Sequence, residues 1–120
     1  RSTDQGKTWS PPTEIDAIGV RPRLLLMSNG VLACSYGRVT PVEQVRRKRS
    51  PFSVGDKILF STDGGTTWTN ETTIWDGPST GYTSIAEITP GELLYVYDTL
   101  GYGWDKTDRI MTVNIRVGAA

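Results

Sequence analysis

The chemistry open to this chain is narrowed first by what it lacks. It has no histidine and a single cysteine, Cys34. A Ser-His-Asp triad, a Cys-His nucleophile pair, a His-based metal site and a multi-cysteine zinc site are therefore excluded. What remains is arginine, tyrosine, tryptophan and the acids. The arginines of interest fall in three settings: Arg21-Pro22-Arg23, Ser35-Tyr36-Gly37-Arg38, and the run Arg46-Arg47-Lys48-Arg49. A guanidinium is a planar fork of donors that holds a carboxylate through two parallel hydrogen bonds. A basic run is more often a solvated loop, but it also makes a locally positive rim. Trp104, beside Asp105, offers a face on which a sugar ring can stack, or an anchor for its loop. The 13 Lys and Arg balance 13 Asp and Glu, for a formal net charge of zero. Such balance argues against non-specific binding to nucleic acid or to an anionic membrane surface. No motif points to a metal or an organic cofactor.

These residues must be positioned by short elements. Thirteen Gly and seven Pro cut the 120 residues into segments rich in Leu, Ile, Val, Thr, Tyr and Trp, none with a helical stripe. This pattern predicts an all-β protein the size of one domain. The expected strands are Thr13–Ile18, Arg23–Met27, Val31–Tyr36, Lys57–Ser61, Thr72–Ile74, Thr83–Ile88, Leu93–Tyr97 and Ile110–Val117. Cys34 alternates with apolar neighbours and reads as a small core residue. Runs of apolar residues fall far short of a membrane span. The chain starts at Arg1 rather than Met, which reads as an internal start.

An internal repeat organises the segments. Ser2-Thr3-Asp4-Gln5-Gly6-Lys7-Thr8-Trp9 recurs as Ser61-Thr62-Asp63-Gly64-Gly65-Thr66-Thr67-Trp68, with six of eight positions matched at an offset of 59. Asn29-Gly30-Val31-Leu32 with Tyr36 aligns with Pro90-Gly91-Glu92-Leu93 with Tyr97, at an offset of 61. Two features recurring at nearly one period define a unit of about 60 residues. In the octapeptide, Asp accepts backbone N–H bonds, Gly supplies positive φ and Trp covers the turn. Trp9 and Trp68 are both expected to pack.

Ser-x-Asp-x-Gly-x-Thr-Trp resembles the Asp-box (BNR repeat) of sialidases and related β-propellers, and the strand pairs between the boxes are similar to that superfamily over nearly the whole chain. The resemblance implies four-stranded antiparallel blades. Residues 1–18 would end one blade with a box and an outer strand, 21–75 would form a complete blade, and 82–117 would form strands one to three of the next. A closed propeller has four to eight blades, and the sialidase-like ones have six. The implied partners are thus the remaining blades, with the chain a C-terminal segment, or two further copies in a homotrimer. The boxes, through Ser2, Asp4, Gly6, Thr8, Trp9, Ser61, Asp63, Gly65, Thr67 and Trp68, would be structural.

The opposite face would hold a glycan. The resemblance places Arg21, Arg23, Arg38, Tyr82 and Asp98 there, with Trp104 and the 39–56 loop. Gly77-Pro78-Ser79-Thr80-Gly81-Tyr82-Thr83-Ser84-Ile85 resembles the segment around the sialidase nucleophile, making Tyr82 the candidate nucleophile. A neutral nucleophile suits an anomeric carbon next to a carboxylate. Arg38 is similar to the second carboxylate-binding arginine, and Arg49 is the choice for the third. The family's glutamate partner has no counterpart, since no acid lies between Val20 and Arg38. The expected function is part of a sialidase-like glycoside hydrolase acting on acidic or complex glycans, inactive as an isolated chain. The alternative is a non-catalytic carbohydrate-binding or interaction module. The family setting favours an extracellular or periplasmic location.

Overall fold

A computed structural model describes residues 1–39, 55–99 and 109–118. Among the described residues there are seven strands and no helix. They are β1 (Val20–Leu26), β2 (Leu32–Gly37), β3 (Asp56–Ser61), β4 (Thr69–Trp75), β5 (Ser84–Thr89), β6 (Glu92–Asp98) and β7 (Ile110–Arg116). They form two antiparallel sheets in chain order, β1-β2-β3-β4 and β5-β6-β7.

The turns follow from local chemistry. Between β1 and β2, the Met27 amide donates to the Val31 carbonyl at 2.8 Å. The Asn29 carboxamide accepts the Val31 N–H at 3.1 Å and donates to the Val117 carbonyl at 3.0 Å. The same turn is tied to the second sheet a second time, because the Ser28 amide donates to both carboxylate oxygens of Glu87. The second octapeptide, Ser61–Trp68, joins β3 to β4.

Alternation along each strand divides its side chains between two faces. Leu25, Ala33, Ile58 and Phe60 of the first sheet meet Ile85, Leu93, Tyr95, Val113 and Ile115 of the second, with Met27 and Val31 closing one end of the core. Trp75 stacks on Tyr97 at 6.1 Å between ring centroids. Buried Tyr95 donates its hydroxyl to the Lys57 carbonyl at 3.0 Å, so a polar group crosses the core satisfied. The other face of the first sheet gathers Cys34, Tyr36 and Leu59, with Val39 and Trp68 packed on them. Cys34 is buried as expected, and desolvation pushes its thiol up.

Two expectations fail at the N-terminal end. Residues 13–18 are not a strand. Their apolar alternation is real, but no strand among the described residues offers them a ladder, and backbone groups pair only where a partner lies alongside. Instead the segment crosses the Cys34 face as a strap. It is pinned by the Tyr36 hydroxyl, which donates to Asp16 at 2.6 Å, and encloses an apolar cleft of about 240 Å³. Trp9 does not pack into a core. It is 71% exposed and donates to the Gly6 carbonyl of its own turn at 3.1 Å. Among the described residues no strand flanks the first octapeptide for the indole to cover.

Candidate functional site

The two octapeptides adopt one geometry. In the first, Ser2 Oγ donates to Asp4 at 2.8 Å and accepts the Gly6 N–H at 2.8 Å, and Asp4 accepts the Thr8 amide at 2.9 Å and the Thr8 hydroxyl. In the second, Ser61 Oγ donates to Asp63 at 2.8 Å and accepts the Gly65 N–H at 2.8 Å. Asp63 accepts the Thr67 amide at 2.9 Å and the Thr67 hydroxyl at 2.6 Å. The donors from threonine, hydroxyl first and amide second, lower both carboxyls to about 2. Each aspartate is spent on holding its own turn, so these residues are structural in geometry.

At the opposite end of the sheets, the segment Ser79–Tyr82 links β4 to β5 and is held by an acid from each sheet. Asp98, the last residue of β6, accepts the Thr80 amide at 2.9 Å and the Thr80 hydroxyl. Asp56, the first residue of β3, accepts the Ser79 hydroxyl at 3.2 Å, and Ser79 Oγ in turn accepts the Gly81 amide at 2.9 Å. The Tyr82 amide donates to Thr80 Oγ1 at 3.3 Å, and the Thr83 hydroxyl donates to Ser35 Oγ at 2.8 Å across the sheets. Two glycines make this approach possible. A Cβ on Gly37 would lie 2.3 Å from the Gly81 Cα, and Gly81 itself has φ of +79°.

The turn presents Tyr82, which is 49% exposed, between two arginines. The Arg21 guanidinium carbon lies 4.5 Å from the ring centroid and that of Arg38 lies 5.6 Å away. Arg38 also donates Nε to the Thr80 carbonyl at 2.9 Å. Both arginines have left-handed backbones, with φ of 51° at Arg21 and 58° at Arg38. Such conformations cost on the order of 1 kcal/mol or more for a residue with a Cβ, and they concentrate at functional sites. At Arg21 the β1–β2 register shifts between Val20 and Arg23, a bulge that re-aims the side chain.

The structure thus brings together three of the residues singled out from sequence, Arg21, Arg38 and Tyr82. Arg23 lies exposed on β1 opposite Ser35 and joins no hydrogen bond or ion pair with them. Arg49 and Trp104 lie outside the described residues, as do Arg46, Arg47, Lys48 and Asp105. Asp98, expected from the sequence on this face, accepts from Thr80. Sequence reasoning passes over Asp56 altogether. It is fully buried, and its Oδ2 has no hydrogen-bond partner among the described residues. Burial, and secondarily the charge of Asp98, push its carboxyl up to about 7 against the hydrogen bond from Ser79. The available signal was an acid at the head of the apolar strand Ile58-Leu59-Phe60, which does not distinguish a buried carboxyl from a strand-end surface one.

Among the described residues no three His, Cys, Asp or Glu side chains converge as metal ligands. The arrangement can bind an anion: both guanidiniums lie beside the tyrosine ring, and Arg38 uses only its Nε on the Thr80 carbonyl. No family model, curated protein or solved structure matches the chain.

Proposed function

We propose that this chain is part of a sialidase-like β-propeller that recognises acidic glycans, with the Arg21–Tyr82–Arg38 cluster taking the sugar carboxylate. The observation that carries the reading is the convergence of two guanidiniums on one half-exposed tyrosine. A stacked guanidinium is oriented in advance and keeps its edge donors for a carboxylate. The two sheets would be neighbouring blades, and further blades, or two further copies of the chain, would complete the ring and the pocket. In the hydrolytic form of the reading, Tyr82 attacks the anomeric carbon as the aglycone leaves. A carboxylate base supplied by another blade would take its proton.

A second reading is binding without cleavage. It is favoured by the Tyr82 hydroxyl, which has no hydrogen-bond partner among the described residues, so the described residues supply no base to activate it. One experiment on the protein with its ring complete tests both. Saturation-transfer NMR compares the methyl glycoside of sialic acid with its methyl ester, in which the carboxylate is capped and uncharged. The proposal expects transfer to the acid, none to the ester, and loss of the signal in Arg38→Ala. Equal transfer to both, or to neither, refutes it. Turnover of a fluorogenic sialoside that disappears in Tyr82→Phe would select the hydrolytic form.

A further inference from the structure

We propose that Asp56 is a proton-operated latch that sets the position of the Ser79–Tyr82 turn, and through it the Arg38–Tyr82 cluster. The geometry is a short relay. Asp56 Oδ1 accepts from Ser79, Ser79 accepts the Gly81 amide, and Gly81 packs on Arg38 and Gly37. Arg38 closes the circuit on the Thr80 carbonyl. A shift of this turn therefore moves the tyrosine and one of its two arginines together.

The charge balance around Asp56 explains why the relay responds to a proton. From β6 come Asp98, whose charge opposes ionisation of Asp56, and Tyr95, whose hydroxyl is itself pushed up by burial and by Asp56. From β2 comes Gly37, which is chargeless, and from β4 the facing residue in the ladder is Trp75. The neighbouring Lys57 is paired with Glu71. Arg38 directs its Nε to the Thr80 carbonyl and lies beside the Tyr82 ring, so it forms no ion pair with Asp56. An ionised Asp56 would thus be a buried charge with one oxygen unpartnered, a costly state unless donors or water reach it. The segment that can shift is the 79–81 turn, which is held by side-chain bonds from Asp56, Asp98 and Arg38, whereas β3 is held by backbone ladders on both sides. Ionisation makes the Ser79 bond charge-assisted but leaves Oδ2 charged and unpartnered among the described residues, so the turn must move to let water or a donor reach that oxygen.

The functional consequence rests on reading the cluster as a binding site, but the latch is read without any ligand. In the ¹⁵N-labelled chain, the Thr80, Gly81 and Tyr82 amide shifts are followed from pH 5 to 9. They are expected to share an inflection near pH 7 that is absent in Asp56→Asn. Flat amides in the wild type, or an inflection that persists in the Asn variant, overturn the latch. Should Asp56→Asn fail to fold, the wild-type Asp56 side-chain carboxyl carbon decides by itself. An inflection near 7 supports the proposal and one below 5 overturns it. None of these outcomes depends on sugar binding, so failure of the glycan reading and failure of the latch are separate results.

Discussion

Replacing Gly37 with alanine tests the contact on which the site is built. The added methyl would lie 2.3 Å from both the Cα and the carbonyl oxygen of Gly81, and 2.6 Å from Asp56 Oδ1. Ordinary carbon contacts are about 3.5–4.0 Å, so the turn and β2 must part by more than about 1 Å. The obstacles are largely backbone, so no flexible side chain can swing aside. Overpacking of this kind costs about 1–3 kcal/mol. Separation also stretches the Arg38–Thr80 and Ser79–Asp56 bonds, each worth about 1 kcal/mol. The expected loss is therefore about 2–5 kcal/mol, read as a lower urea midpoint by circular dichroism. Gly118→Ala is the control, because nothing lies within 4 Å of its Cβ position; it should stay within about 0.5 kcal/mol of wild type. A Gly37→Ala protein as stable as that control, with unshifted Thr80 and Tyr82 amides, would refute the close approach.

Three further outcomes follow from the same structure. Asp63→Ala should lower the urea midpoint, since its turn joins two paired strands, whereas Asp4→Ala should change it little because residues 1–19 contribute no strand. Both carboxyls are lowered in the folded state, so their support is complete above about pH 4 and is lost as pH falls through about 2. Acid unfolding followed by circular dichroism should show this limb shrink in Asp63→Ala. Asp56 has the opposite sign: its folded carboxyl is raised, the native state holds the proton more tightly, and stability falls as pH rises from about 4 to about 7. At about 1.4 kcal/mol per pH unit the ceiling is about 4 kcal/mol. Asp56→Asn should flatten urea midpoints measured between pH 5 and 8. Tyr95→Phe removes the bond to the Lys57 carbonyl, for an expected loss of about 1 kcal/mol by the same denaturation.

Much of the strand content was legible from local patterning. Alternation placed seven strands within a few residues of their observed bounds, and Asn29-Gly30 and Pro90-Gly91 marked their turns, because strand direction and turn conformation depend on a few adjacent residues. The octapeptide was equally legible, since its bonds run between residues two to four apart. The misreading of residues 13–18 came from the same rule: alternation says what a segment would bury as a strand, not whether a partner strand lies beside it.

The arginines and Tyr82 could be named from their chemistry and from the family resemblance, but their geometry could not. Arg21 reaches Tyr82 through a bulge and a left-handed backbone before Pro22, a conformation that its local sequence does not favour. Asp98 and Asp56 became the holders of the turn through bonds spanning 18 and 23 residues. By itself, then, the sequence determined an all-β chain with two self-contained aspartate turns and no histidine chemistry. The juxtaposition of Arg21, Arg38 and Tyr82, and the burial of Asp56, were decided only when two glycines let the sheets approach. Contacts between residues distant along the chain depend on how whole elements pack, and no local run of residues encodes that distance.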